Sequence, residues 1–335
     1  MANDLENGAR EPVEALSRLT RGFMGSQVVF EAHAAGVFPL LEQPRTAQEV
    51  AEAVGWPRRS ARLLLDGLVA LELVEKNGDA YRNGPVATAC LVPDRPAYQG
   101  HIVSHHHNLM ARWARMGEAL RSGGGVAEPG DPGRGPKELR DFILGMSDVA
   151  KFSAQGLLGV LDLSAYRHLL DLGGGPATYA IAFLQRNPEM RATVFDRPEV
   201  IPIAQEQTRQ AGLEDRIACI GGDMTTDDLG SGYDLILVSN IIHALGPDTN
   251  RALVQKCYDA MAPGGLLIIK DFLVDNDRSG PAFSLLFALN MLVGTADGDT
   301  YTVAEVEAWT TAAGLTNGRV IDLTPQSRLW LSEKP

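Results

Sequence analysis

The stretch His168-Leu-Leu-Asp171-Leu-Gly173-Gly174-Gly175-Pro176-Ala-Thr178-Tyr179 limits what this chain can fold into more than any other. An apolar run enters a turn of three glycines and leaves as the start of a helix. Glycine lets backbone approach a ligand where any Cβ would collide. Many such turns cradle phosphate at a helix N-terminus, so a dinucleotide site is the first alternative. Two details weigh against it. The dinucleotide pattern asks for glycine where Thr178 stands. Asp171 would repel a pyrophosphate, and Pro176 has no N–H to offer one. A carboxylate just before the turn suits a ligand with a positive amino group.

From residue 168 onward, strand-like and helix-like segments alternate. Strands are expected near 168–172, 191–196, 216–221, 233–239 and 265–272, with helices near 177–187, 199–212 and 247–262. Alternation at this spacing means an α/β fold with a doubly wound parallel sheet. Ligands of open sheets gather at the carboxyl ends of the strands. Asp196 ends the second run and can accept hydrogen bonds from ribose hydroxyls. Ile220-Gly-Gly-Asp223-Met224 ends the third, where Asp223 can accept from an adenine amino group and Met224 can lie against the ring. Three strand ends in this order suit S-adenosylmethionine, which carries an ammonium and a sulfonium.

Asp171-Leu-Gly-Gly-Gly, Phe195-Asp196-Arg197-Pro198 and Gly222-Asp223-Met224 resemble class I S-adenosylmethionine-dependent methyltransferases. The subgroup is similar to the small-molecule O-methyltransferases related to caffeate and acetylserotonin O-methyltransferases, over roughly residues 15–333. The resemblance implies a Rossmann-like, doubly wound, mostly parallel sheet that ends in an antiparallel pair at 320–323 and 328–331. It implies cofactor contacts from Asp171, Gly173, Gly175, Asp196, Arg197, Asp223, Met224 and Ser239. At the position of Ser239 the family often has a lysine approaching the adenosine.

Ahead of this lies a different pattern. Residues 1–12 are polar and expected to fray. A helical pattern covers 13–40, and Thr46-Ala-Gln-Glu49 is a capping box. A further helix runs from Ser60 to Leu71, and Val74 to Tyr81 reads as a hairpin turning at Asn77-Gly78. Three helices and a hairpin make a winged helix. The chain therefore divides into a mainly α winged-helix domain at 1–120, a linker and connecting helix at 121–165, and a catalytic domain at 166–335. Winged helices often bind DNA, but Arg58, Arg59 and Arg62 share their helix with Asp66, and the net charge is −12. Nucleic acid is not expected as a partner. The resemblance instead makes this module the dimerisation domain of a homodimer. A non-catalytic winged-helix regulator that senses S-adenosylmethionine is the alternative from another class, and the acidic charge speaks against it.

The first residues show neither a basic nor an apolar leader, and no run of 18 apolar residues occurs, so neither secretion nor membrane spanning is expected. Cys90, Cys219 and Cys257 show no disulfide or metal spacing, which suits a reducing cytoplasm.

A helix is expected from Tyr98 to Leu120 with His101, His105, His106 and His107 on it. His101 and His105 share a face. No carboxylate or cysteine at helical spacing completes a zinc site, so no metal is assigned. The resemblance makes His106, Met110 and Trp113 candidate pocket residues. A Gly- and Pro-rich linker fills 122–136, and a helix follows over 137–161. Phe142 and Met146 resemble the family's Phe-x-x-x-Met element over cofactor and acceptor. Phe287, Asn290 and Met291 lie where the family closes its acceptor pocket. Plain core packing is the alternative for both groups. The apolar character suits a flat aromatic acceptor of modest size.

Strand four runs through Ser239-Asn240 into Ile241-Ile242-His243, which sets a histidine just past a strand end. Methyl transfer from a sulfonium is an in-line displacement with an activated donor. The protein must supply alignment and a deprotonated acceptor. A phenol of pKa about 10 is mostly neutral at pH 7, and an imidazole can take its proton. Asp271, ending strand five, can hold the other ring nitrogen by the logic of a triad. The family has a histidine at the position of His243 and an acid at that of Asp271. Departures exist. Ala244-Leu245 stand where Asp-Trp often follows the histidine, and a second acid maps to Thr300 with Asp299 beside it. The expectation is O-methylation of a hydroxyl on a small aromatic or heteroaromatic metabolite, with N- or C-methylation of a related ring as the alternative.

Overall fold

The computed structural model describes residues 2–126 and 135–335, so residues 127–134 of the expected linker lie outside the described residues. Two compact units divide the chain, Met1–His107 and Asn108–Pro335.

The first unit begins with α1 (Ala2–Ala34), which passes through Pro12. The expected frayed end is helical from Ala2, because polar composition does not bar a helix where Ala, Leu and Glu supply propensity. Gly36, at φ 70, separates α1 from α2 (Val37–Leu40), where the sequence reads as one helix. Such a left-handed residue ends a helix as no other residue type does cheaply. Next come β1 (Arg45–Thr46), α3 (Ala47–Val54) and α4 (Arg58–Ala70). The capping box closes as expected between Thr46 and Glu49. β2 (Val74–Asn77) and β3 (Ala80–Asn83) form the wing in a small sheet of order β1-β3-β2. Phe38, Leu41, Leu65, Leu68 and Tyr81 pack its core. Asp66 on α4 accepts from Arg62 at 2.7 Å, Lys76 at 2.8 Å and the Tyr81 hydroxyl at 2.7 Å. Two of the few basic groups on helix and wing are thus held by an internal carboxylate. α5 (Pro85–Cys90) follows, and then α6 (Gly100–Trp113) begins.

In the second unit the single helix expected to Leu120 is two, because α6 ends and α7 (Met116–Ser122) restarts after a turn. Arg115 holds that turn, donating to Val126 O at 2.7 Å and to Glu118 at 2.9 Å. Ala119, Val126 and Val293 share a buried cluster with Trp113 and Met116. The compact units divide after His107, whereas the sequence reading sets its first boundary at 120. α8 (Pro136–Val160) leads into the large sheet.

The sheet alternates as expected: β4 (His168–Leu172), α9 (Thr178–Arg186), β5 (Arg191–Asp196), α10 (Ile201–Gln210), β6 (Ile217–Gly221) and β7 (Tyr233–Ser239). A 3-10 turn at Ile242–Ala244 precedes α11 (Pro247–Ala260), β8 (Met261–Asp271), α12 (Ala282–Gly294), α13 (Val303–Ala312), β9 (Thr316–Asp322) and β10 (Arg328–Glu333). The order is β6-β5-β4-β7-β8-β10-β9. β10 runs antiparallel to β8 and β9, and the other ladders are parallel. Leu169, Leu235, Leu237 and Ile268 face one cluster, while Leu170, Leu172, Ile236 and Ile269 face the other. Both faces are covered, as a parallel sheet requires. The chain steps outward from β4 to β6 and then returns to β7 on the other side of β4. The switch point, with its crevice, therefore lies above the glycine turn.

Candidate active site

The glycine turn is built for close approach. At Gly173, φ +68, an added Cβ would meet Ile241 Cδ1 at 2.2 Å, whereas at Gly175, φ +53, it would meet nothing within 4 Å. Gly173 N–H donates to Phe195 O at 2.7 Å, tying the turn to the end of β5. Asp196 accepts from Gly175 N–H and Arg197 N–H, both at 2.7 Å. Burial pushes its carboxyl up, against the pull of those two bonds. The Arg197 guanidinium itself turns to Glu199 at 3.3 Å.

Asp171 is fully buried and accepts from Ala180 N–H at 3.2 Å. It caps α9, whose own N-cap Ala177 offers no side-chain bond. Burial raises it to about 7. Asp223 is exposed past the end of β6 and accepts from Thr225 N–H at 2.8 Å and its hydroxyl at 2.6 Å. These bonds hold its carboxyl low. Met224 is half-buried, its carbonyl fixed by Lys256 at 2.8 Å. Ser239 is half-buried at the end of β7. Beside it and Ser153 sits the buried Tyr179 hydroxyl, on which no hydrogen bond of good geometry closes. An unpartnered buried hydroxyl, open space over Gly175 and acids at three strand ends fit S-adenosylmethionine.

The turn after β7 brings His243 against Asp271. The imidazole Nδ1 lies 2.7 Å from Asp271 Oδ1, with only 12% of the histidine side chain exposed. Phe272 N–H also donates to Asp271 Oδ1, at 2.8 Å. Aromatic rings wall the imidazole. Phe287 meets it edge-on at 4.9 Å, Phe272 stacks at 5.9 Å, and Phe283 stacks on Phe287 at 5.8 Å. Lys270, the residue before Asp271, is buried and donates to Asn240 Oδ1 at 3.0 Å. Burial pushes its ammonium down to about 8, against the pull of Asp271.

The remaining sequence candidates scatter. Asn290 accepts from the Trp113 indole at 2.9 Å. Phe142 packs on the cluster of Ile143, Val200 and Ile203. Met110 and Met146 are half-buried, and Met291 is buried. His106 is exposed on the part of α6 within the first unit. Asp299 sits 3.7 Å from Arg278, and Thr300 Oγ1 is buried without a partner. Sequence reasoning missed Phe272, Phe283, Tyr179, Asn240 and Lys270. The signal for Phe283 was its place one helical turn before Phe287; Phe272 simply follows the acid.

Comparison with known proteins agrees with this geometry. The family model described as the O-methyltransferase domain matches residues 117–316, and that of the O-methyltransferase dimerisation domain matches 17–93. The tetracenomycin polyketide synthesis 8-O-methyl transferase of Streptomyces glaucescens is 35% identical over 332 residues, 95% of this chain and 96% of that protein. An N,N-dimethyltransferase of Streptomyces rimosus is 31% identical over 314 residues, 90% of each. The crystal structure of human N-acetylserotonin methyltransferase in complex with S-adenosylmethionine aligns at a TM-score of 0.88 and 28% identity, covering 96% of this chain and 97% of that one. By family models, relatives and fold together, the chain belongs to the O-methyltransferase family and is an enzyme that uses S-adenosylmethionine.

Proposed function

We propose that the enzyme methylates a hydroxyl on a small aromatic or heteroaromatic metabolite, with His243 as general base. The observation that carries this reading is the buried 2.7 Å bond between His243 Nδ1 and Asp271, walled by phenylalanine rings. The cofactor supplies an electrophilic methyl on its sulfonium. Asp196 would hold the ribose hydroxyls, Asp223 and Met224 the adenine, and the glycine turn with Asp171, Arg197 and Ser239 would complete the cradle. In the base, Nδ1–H donates to Asp271, which leaves Nε2 free to take the acceptor's proton. The imidazolium so formed is stabilised by the same carboxylate. Phe272, Phe283 and Phe287 offer faces and edges for a flat ring and exclude water around the proton. Trp113 and Asn290 brace one another, and Met110, Phe142, Met146 and Met291 are the further contacts proposed for the acceptor. The human neighbour is named for methylation of N-acetylserotonin, an indole, which supports an aromatic acceptor.

One observation favours a second reading, N-methylation. A relative is an N,N-dimethyltransferase, and here Asp299 goes to Arg278 instead of standing as a second acid for the base. An amine that is nucleophilic without losing a proton needs no such acid.

The protein acts as a homodimer through its dimerisation domain. No helix among the described residues is long and apolar enough to cross a membrane, and all three cysteines are free, which supports a reducing cytoplasm.

The test is His243→Ala on a panel of naphthols, catechols and aryl amines. Phenol turnover should fall by about 10²–10⁴, with affinity for S-adenosylhomocysteine unchanged. Wild-type phenol turnover in that variant removes the base. Turnover confined to amines selects the second reading.

A further inference from the structure

Lys270 takes no part in the steps above, yet it is one of the few charged side chains buried in the sheet. An ammonium removed from water is costly unless bonded, so the group that accepts its hydrogen bond matters. Nζ donates to Asn240 Oδ1 at 3.0 Å, and the carbonyl of Lys270 accepts from Asn240 N–H at 2.8 Å. Lys270 thus holds both ends of Asn240. That residue has φ 57, in the left-handed region, which asparagine tolerates best when its side chain is fixed. It is the first residue after β7, and the 3-10 turn bearing His243 starts two residues later.

The neighbours of Lys270 divide the work. Successive residues of a strand point to opposite faces. Asp271 takes the imidazole, while Lys270 takes the turn. Leu329 pairs opposite Lys270 on β10, and Arg328 opposite Asp271 is committed to Asp275 at 2.8 Å and Asp322 at 2.9 Å. Ser239 pairs with Lys270 on β7, and Phe272 sets its ring 5.6 Å from Nζ. Asp271 is therefore the charged group acting on the ammonium, and Asn240 is its hydrogen-bond acceptor.

We propose that Lys270 is a positioning residue for His243, fixing through Asn240 the left-handed turn that lays the imidazole against Asp271. Asp271 also accepts from His243 N–H at 3.4 Å, and Asn250 donates to Ile242 O at 2.8 Å and Leu245 O at 3.2 Å, so the far part of the turn is held by other groups and its root at Asn240 by Lys270. With Lys270, β8 grips the turn at its root and the histidine at its tip. The inference rests on the reading of His243 as the base, but its geometry is testable apart from turnover.

Proton NMR of the enzyme with S-adenosylhomocysteine reads the contact directly. The downfield Nδ1–H resonance of His243 is assigned by its loss in His243→Ala. In Lys270→Met it should broaden or vanish, and likewise in Asn240→Gly, which keeps the left-handed freedom but removes the acceptor. Lys270→Arg should restore it in part. On the phenol panel, both single variants should lose turnover by about 10²-fold, as expected of a misaligned group, with KM for the cofactor unchanged. The double variant should be no worse than either single. An unchanged Nδ1–H signal in either variant overturns the proposal, as do additive losses in the double. If Lys270→Met fails to fold, Asn240→Gly tests the same bond from its other side. If His243→Ala keeps full turnover while the signal still depends on Lys270, the base has failed and the positioning stands.

Discussion

Asp171 holds the start of α9 from a buried position. Its carboxyl sits near 7 against an ordinary value of 3.8, so the native state keeps a proton that the unfolded chain has lost. Its contribution to stability therefore falls as pH rises from about 4 to about 7. A cofactor ammonium nearby would favour the ionised form. Binding of S-adenosylhomocysteine should weaken as pH falls below about 7, and binding at pH 7 should release protons. Calorimetry in buffers of different ionisation enthalpy reads both, and Asp171→Asn should show neither. Proton-independent binding in the wild type would mean that the carboxylate serves only α9. Asp196→Ala is simpler. It strips a bonded carboxylate from the turn and should cost about 1.5–3 kcal/mol of S-adenosylhomocysteine affinity, read by the same titration. Asp171, Asp196, His243 and Asp271 were legible because each lies at or just past a strand end, and strand ends follow from apolar periodicity. Lys270 was not, since a lysine ending a strand reads as a solvated residue. Its hydrogen-bond acceptor is the left-handed Asn240, which no sequence pattern announces.

At the scale of elements, sequence reading succeeded where a periodic run had a marked boundary. The glycine turn, the capping box at Thr46 and the Asn77-Gly78 hairpin all carry such marks. It failed between α6 and α7, where no glycine or proline stands at residues 114–115. That turn depends on Arg115 reaching Val126, a contact that only the folded chain supplies. The long spacing from Asp271 to Thr302 hid another lesson. α12 is apolar nearly throughout, so periodicity does not tell which side faces the base. The structure resolves it through Phe283 and Phe287, one turn apart, with Phe287 against His243 at 4.9 Å. Removing that ring forfeits an edge-on aromatic contact of about 0.5–1.5 kcal/mol and opens the wall around the imidazole. Phe287→Ala should raise KM for an aromatic acceptor by roughly tenfold, the upper part of that range. Affinity for S-adenosylhomocysteine should stay put. Steady-state kinetics beside calorimetry separate the two, and an equal loss in both would make Phe287 a general packing residue.

At the scale of the whole molecule, part of the basic charge of the winged-helix unit is neutralised within the unit. Asp66 draws in Arg62 and Lys76, and the chain carries −12 overall. What the unit offers is a stripe on α1. Leu16, Leu19, Phe23 and Met24 recur at helical spacing and are exposed, Leu19 to 80%. Scattered exposed leucines are ordinary, but a stripe along one helix face marks an interface. The dimerisation family model covers residues 17–93, which include most of that stripe. A second copy of the chain is the occupant that accounts for both. Leu19→Glu with Phe23→Glu should convert the protein from dimer to monomer, read by sedimentation or light scattering across concentrations. Each buried leucine or phenylalanine lost from an interface costs about 1.5–3 kcal/mol, and charges buried in their place cost more, so the shift should be large. The glycine turn and the His243–Asp271 pair lie in the other unit, so binding of S-adenosylhomocysteine should survive in the monomer. A wild-type protein that stays monomeric at high concentration would leave the stripe without this occupant.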